Sequence, residues 1–249
     1  MTREPSAGST LRPVAAPWLS VIVPTLNEER GIAATLARVA AAADVEIIVV
    51  DGGSEDGTVA AVRPWAARVL QTERGRAVQM NAGAGAATGE VLLFLHADTL
   101  LPEGYERNVR AALLDPAVVG GRFDIRLDAA GLAYACLGRL ISLRSRLSGV
   151  ATGDQAIFVR RAVFERLGGY PSLALMEDVA LSRALKRAGR VVALRATVLT
   201  SARRWRRHGF VRTVLLMWAL RCAFLLGIPP AYLRVLYPDH RDGARSSPT

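Results

Sequence analysis

Val91-Leu92-Leu93-Phe94-Leu95-His96-Ala97-Asp98-Thr99 decides how the rest of the chain is read. Its five leading apolar residues are too few to cross a membrane and enough for a strand buried on both faces. The run stops at His-Ala-Asp, and Pro102 then opens a new element. A carboxylate where a buried parallel strand surfaces stands at the edge where open α/β sheets bind ligands. Taken alone, Asp98 also reads as the cap of the next helix or turn, so its meaning depends on its surroundings.

Upstream, residues 19–24 (Leu-Ser-Val-Ile-Val-Pro) read as a first strand and residues 30–42 as an alanine-rich helix with Ile32, Leu36 and Val39 on one face. Residues 46–50 form a second strand ending in Asp51-Gly52-Gly53-Ser54. A short helix limited by Pro64, a weak strand at 68–70 and a helix at 74–87 lead to the strand at 91–95. Strands alternating with helices predict βαβ units and a mostly parallel sheet flanked by helices. Downstream, residues 120–127 alternate as a half-buried strand does. Residues 130–147 read as an amphipathic helix with Arg139, Arg144 and Arg146 among its polar positions. A strand at 156–159, a short helix at 161–167, a helix from Met176 to about Ala188 and two short strands at 191–194 and 198–200 follow. Residues 1–17 and 239–249 read as loose polar tails, 18–202 as the main domain, and 203–238 as a basic and apolar helical extension.

The 249 residues carry a net charge of +10, almost all of it arginine, Lys186 being the only lysine. That balance suits phosphates or acidic lipid headgroups. Nucleic acid is not expected as a partner, because no basic helix interleaved with aromatics forms a reading face. Cys136 and Cys222 lie in apolar helical stretches and read as packing residues of a reducing compartment. The N-terminal stretch has no apolar core of a secretory signal, and Arg221 interrupts the longest apolar run, 214–228. The expected location is therefore cytoplasmic, on the inner face of the plasma membrane if the extension docks there.

Three candidate sites fall at carboxyl ends of predicted strands: Thr25 to Glu28, Asp51 to Ser54, and Asp98. If the strands are parallel, these loops open on one edge. The glycines beside Asp51 let a ligand approach the backbone, and they also suit a plain turn capped by Ser54 and Asp56. No phosphate loop is present, and Gly83, Gly85 and Gly89 precede a strand, so they are no dinucleotide fingerprint. Nucleotide phosphates would then need Arg74, Arg76 or a divalent cation on Asp98, since Mg²⁺ and Mn²⁺ take one or two carboxylates plus phosphate oxygens. Glu177-Asp178 stands at a predicted helix N-terminus, where the macrodipole favours carboxylates. Asp154 is a further acidic candidate.

Five stretches in order, Ser20-Val-Ile-Val-Pro-Thr-Leu-Asn-Glu-Glu29, Val50-Asp-Gly-Gly-Ser-Glu-Asp-Gly-Thr58, Asn81-Ala-Gly83, Leu95-His-Ala-Asp98 and Met176-Glu-Asp178, resemble the family 2 glycosyltransferases. The resemblance spans about residues 18–200 and implies the GT-A fold and an inverting transferase that uses a uridine- or guanosine-linked nucleotide-diphosphate sugar. Carried over by position, Pro24, Thr25, Asn27 and Glu28 would line the nucleotide pocket and Asp51 would hold the base. Gly52, Ser54, Arg76, Asn81, His96, Ala97 and Asp154 complete the expected nucleotide-sugar site. The resemblance makes Asp98 the metal ligand and Asp178, with Glu177 beside it, the general base. His96 replaces the first acid of the usual Asp-x-Asp triplet, leaving one negative charge fewer. Arg204-Trp205 matches only the end of the Q-x-x-R-W motif of processive members, because Ser201 holds the first position; processive polymerisation is not implied. The pattern is most similar to a bacterial subgroup labelled arsenosugar-biosynthesis glycosyltransferases.

Arg203, Arg204, Arg206, Arg207 and Arg212 precede or begin an apolar helix rich in Leu, Trp and Phe. Such a segment suits peripheral contact with an anionic bilayer through 203–228, which would bring a lipid-linked acceptor to the site; it equally suits a helix packed on the domain. Two other functions remain open. A nucleotidyltransferase shares the nucleotide edge but needs a basic glycine-rich loop where this chain has Thr25-Leu26-Asn27-Glu28. A non-catalytic nucleotide- or lipid-binding protein has no need of both Asp98 and Asp178.

Overall fold

The structure is a computed structural model that describes residues 17–66 and 68–236. Apart from Pro17, the expected tails lie outside the described residues, as do the last two residues of the extension. Three strands form the buried centre: β1 (Leu19–Thr25), β2 (Val45–Asp51) and β4 (Val91–Phe94). They run parallel, with Leu19 opposite both Val45 and Val91 and Thr25 opposite Asp51. β3 (Arg68–Gln71) extends the parallel set beyond β2.

The period of two in a strand explains how both faces are covered. Val21, Val23, Ile47 and Val49 pack with Ile32, Leu36 and Val39 of helix α1 (Ile32–Ala40). Ile22, Ile48 and Val50 pack on the opposite face with Ala77, Met80 and Ala84 of helix α3 (Arg76–Ala86). α3 lies so close that a Cβ on Gly83 would sit 2.4 Å from Ile22 Cγ2 and 3.0 Å from Val50 Cγ2. α2 (Thr58–Val62) lies between β2 and β3, and α4 (Tyr105–Ala112) follows the Asp98 loop.

The second half turns the sheet mixed. β6 (Val118–Leu127), β7 (Ile157–Arg160) and β8 (Arg190–Thr200) give the order β3-β2-β1-β4-β7-β6-β8-β5, with β7 antiparallel to β4 and β6, and β8 parallel to β6. The two strands expected at 191–194 and 198–200 are one strand. Between Phe123 and Asp124 the partner jumps from Leu194 to Thr197, so Arg195 and Ala196 bulge out of register and break the sequence pattern. β5 (Thr99–Leu100) was not expected, since two residues carry no periodicity. It pairs antiparallel with the end of β8, Thr99 opposite Thr200, and the two threonine hydroxyls lie 2.9 Å apart. The Asp98 loop therefore bridges from the end of β4 to the end of β8.

Among the described residues, six further α-helices complete the domain and its extension. α5 (Leu132–Ser148) covers β6, α6 (Arg161–Arg166) follows β7, and α7 (Glu177–Ala188) precedes β8. α8 (Arg203–His208) and α9 (Phe210–Leu225) pack inward through two small cores, Trp205 with Leu127 and Leu137, and Leu220 with Met176 and Val179. α10 (Pro230–Leu236) adds Leu233 to the latter. Among the described residues no helix is long and apolar enough to cross a membrane. α5 departs from the sequence expectation. Its Gly138, Ser142 and Ser145 are buried against the sheet, while Leu132, Leu140, Leu143 and Leu147 are exposed. Arg144, expected on the polar face, buries its Nε and Nη2.

Candidate active site

The parallel alignment brings the ends of β1, β2 and β4 to one edge, and β5 ties the end of β8 to the same place. Ser201 N–H donates to the Asp98 carbonyl at 3.1 Å. A cavity of about 640 Å³ opens there, and of the expected residues Asn27, Arg76, His96, Asp98, Asp154, Glu177 and Asp178 line it. Residues more than a hundred positions apart, Asn27 and Glu177 among them, thus share one space.

The remaining expected residues sit behind this wall and shape it. Pro24 and Thr25 are buried at the end of β1. Asp51 is 1 % exposed; its Oδ2 accepts the Gly53 and Ser54 amides at 3.0 and 2.9 Å and its Oδ1 accepts the Ser54 hydroxyl at 2.5 Å. Its carboxylate is thus occupied in holding a tight turn, in which Gly53 has φ 89°. Gly52 N–H donates to Thr25 O at 2.9 Å. Asn27, itself at φ 52°, exchanges hydrogen bonds with Ser54 Oγ and Glu55 N, both at 2.9 Å, and so joins the loops after β1 and β2. Asn81 clamps the backbone of Tyr170, donating to its carbonyl at 2.8 Å and accepting from its amide at 2.9 Å. Ala97 is buried and its carbonyl accepts the Thr35 hydroxyl at 2.8 Å.

Sequence reasoning missed Gln79. This buried side chain donates to Thr25 O and Val50 O at 2.9 and 2.8 Å, pinning the ends of β1 and β2 together. A lone glutamine on the apolar face of α3 was the available signal. The cavity's far wall was also not placed: Arg203, Arg204, Trp205 and Arg207 of α8 and Met217, Leu220 and Arg221 of α9 line it. Arg203 donates to both oxygens of the buried Glu28 at 2.9 and 3.1 Å and stands 3.6 Å from Asp98 Oδ2. Glu28 thereby anchors an arginine from the extension beside the Asp98 carboxylate.

The acidic pair begins α7, preceded by Met176 at φ 67°, a left-handed conformation that a bulky residue holds only when its surroundings impose it. Asp178 Oδ2 accepts the Gly153 amide at 2.8 Å and Oδ1 its neighbour Val179 N at 2.7 Å. Asp178 opens onto the cavity yet lies deep in the protein, and this desolvation pushes its carboxyl above the ordinary carboxylate value against the pull of the Gly153 amide. Glu177, 5 % exposed, is pushed up to about 7 by burial and by the charge of Asp178, with Arg76 opposing. Near the pair, Asp154 Oδ1 and Arg144 Nε and Nη2 are buried with no hydrogen-bond partner. Burial and the nearby Arg221 push Arg144 down to about 10, while Asp154 and Asp178 hold it up. His96 lies against the Gly153 backbone, since a Cβ at Gly153 would sit 2.4 Å from its Nε2.

Among the described residues no group of three or more His, Cys, Asp or Glu side chains gathers to form a metal cage. Asp98, with 27 % of its side chain exposed, offers one carboxylate facing the cavity. That donor set fits a magnesium- or manganese-type cation that takes its other ligands from water and a diphosphate.

Comparison with known proteins agrees with this layout. A glycosyltransferase of PGL/p-HBAD biosynthesis from Mycobacterium bovis is 33% identical over 170 residues, covering 63% of this chain and 64% of the relative. The chain thus spans about two thirds of that relative, just short of it. An undecaprenyl-phosphate 4-deoxy-4-formamido-L-arabinose transferase from Aeromonas hydrophila is 35% identical over 116 residues, 41% of this chain and 36% of the relative. The fold is shared with S. aureus TarS 1–349 solved with UDP-GlcNAc, at a TM-score of 0.60 and 22% identity over 74% of this chain and 58% of that one. It is the GT-A-like layout, a curled mixed sheet flanked by helices. The Glycosyl transferase family 2 profile matches residues 20–165, and the chain belongs to that family.

Proposed function

We propose that the protein moves a sugar from a nucleoside-diphosphate donor, uridine or guanosine linked, onto an acceptor hydroxyl with inversion at the anomeric carbon. One observation carries the reading: Asp98 and Asp178, eighty positions apart, open onto the same cavity. In that space the diphosphate lies toward Asp98 and the arginines, and the acceptor toward Asp178. Structures of a neighbour with UDP and with UDP-GlcNAc support a nucleotide-sugar donor.

The chain's own groups supply most of the chemistry. Asp178 accepts the proton of the acceptor hydroxyl as the oxygen attacks the anomeric carbon from the face opposite the leaving group. The bond from that carbon to the diphosphate oxygen breaks, and the nucleoside diphosphate leaves with the electron pair. The Gly153 amide and the N-terminus of α7 hold the Asp178 carboxylate in place and favour its ionised form. Arg76, Arg203 and Arg204 line the space in which negative charge grows on the departing diphosphate. A divalent cation held by Asp98 and the diphosphate would add further neutralisation of that leaving group.

The undecaprenyl-phosphate transferases among the relatives support an acceptor carried on a lipid. The arsenosugar subgroup remains part of this proposal and does not name the acceptor. The test is thermal shift and turnover with a panel of UDP- and GDP-sugars, with and without Mn²⁺. Asp98→Asn is expected to weaken the Mn²⁺-dependent shift. Asp178→Asn is expected to keep the shift and lose transfer by roughly a thousandfold. Normal turnover by both variants would overturn the assignment of roles.

A further inference from the structure

Two neighbouring helices, α5 and α9, carry apolar stripes that the domain does not cover. On α5 the stripe is Leu132, Cys136, Leu140, Leu143 and Leu147, spaced by three or four residues and exposed. On α9 it is Val211, Leu215, Trp218 and Cys222, continued by Leu226 and equally exposed. Residues at these spacings share one face of a helix. Leu132 and Leu147 are 85 % and 81 % exposed, and Trp218 is 61 % exposed. Single exposed leucines need no explanation, but a continuous apolar surface of this kind marks a binding face.

The two stripes form one surface. The Tyr134 and Phe210 rings meet at 5.3 Å near the start of each helix, and Arg144 feels the charge of Arg221 near the far end. The helices therefore point the same way, linked by long side chains at both ends. At about 100° per residue, the α5 stripe points away from Gly138, Ser142 and Ser145, which face the sheet. The α9 stripe points away from Thr213 and Leu220, which face the domain. Both stripes thus face outward on the same side of the pair, with Tyr134, Ile141 and Val214 along the seam. Arg139 borders the α5 side and Arg212 the α9 side, while Arg146 is held by Asp124 at 2.7 Å. Neither helix, nor α8 between them, contains an acidic residue.

We propose that this face docks on the surface of an anionic lipid bilayer, with α5 and α9 lying in the interface. The occupant follows from charge: Arg139 and Arg212 at the borders, no acid on either helix and a chain charge of +10 complement acidic headgroups, and an exposed Trp218 suits the headgroup boundary. A second copy of the same face would bring arginine borders against each other. α9 also lines the cavity from its inner side through Met217 and Leu220, so docking would hold the cavity one helix away from the membrane, near a lipid-borne acceptor. This part rests on the proposed transfer to a lipid-borne acceptor; the docking itself does not.

The full-length protein is floated with vesicles of phosphatidylcholine containing phosphatidylglycerol and with vesicles of phosphatidylcholine alone, without nucleotide. Binding is expected to the first and roughly tenfold less to the second. Leu140→Glu with Leu143→Glu on α5, and separately Leu215→Glu with Trp218→Glu on α9, are each expected to cut vesicle partition by tenfold or more, roughly the value of one buried leucine. Arg139→Gln with Arg212→Gln is expected to lose the preference for anionic vesicles while the fold, checked by thermal melting, is kept. No binding by the wild type, or α5 variants that bind normally, would overturn the proposal. So would light scattering that shows a dimer broken by the same variants with no vesicle binding. Thermal shift with UDP-sugar is read separately, so a transferase that fails to dock and a docking protein that fails to transfer give different results.

Discussion

Replacing Glu177 by glutamine is expected to stabilise the protein at neutral pH and to do little at low pH. Glu177 is 5 % exposed and its carboxyl is raised from 4.5 to about 7 by burial and by Asp178. As pH rises past 4.5 the unfolded chain gives up this proton while the folded chain keeps it, so folding stability falls. The fall continues until about pH 7, where the folded carboxyl also ionises, and then levels off. At 1.36 kcal/mol per unit the loss is on the order of 3 kcal/mol. Glutamine keeps the shape and never ionises. The stability difference between variant and wild type should therefore be near zero at pH 4, grow through pH 5 and 6, and be flat above pH 7. Urea unfolding at a series of pH values measures it. A difference that does not change with pH, or a variant less stable than wild type at pH 8, would mean that Glu177 is ionised and paired in the fold, and the reasoning would fail. The cost fits the proposed catalytic role of this acidic pair, since functional sites hold groups with displaced pKa values.

Arg203→Met removes a cation bonded to both oxygens of the buried Glu28 carboxylate and is expected to cost about 1–3 kcal/mol in a urea titration, the value held down by the half-exposed arginine. Gly83→Ala forces a methyl into the side chains of Ile22 and Val50, and thermal melting should show a loss of about 1–3 kcal/mol with nucleotide binding retained once folded. Arg144→Gln removes a positive charge beside Asp178, so the carboxylate is favoured less and the rising limb of the pH–rate profile should move to higher pH. A limb that stays in place would show that Arg144 does not act on the base.

The βαβ alternation through residue 100 was legible because buried parallel strands are continuous apolar runs and the helices between them keep one apolar face. The strand ends Thr25, Asp51 and Asp98 could be placed at one edge for the same reason. What the chain order could not reveal was how the second half closes on that edge. A two-residue strand, Thr99–Leu100, joins the Asp98 loop to the end of β8, and a bulge at Arg195 and Ala196 hides the continuity of that strand. Both effects depend on pairing between distant residues, Thr99 with Thr200 and Phe123 with Leu194, and no local pattern records them. Asn81 shows the same limit, since its bonds to Tyr170 span eighty-nine positions, whereas the turn that Asp51 holds with Ser54 is local and was one of the two readings its glycines allow. The sequence alone determined the central parallel strands, the candidate acids and the family resemblance, since these follow from nearest-neighbour chemistry. Only the folded chain decided that Arg203 meets Glu28, that Gly153 holds Asp178 and that α5 turns its leucines outward, because each is a choice of partner across the whole molecule.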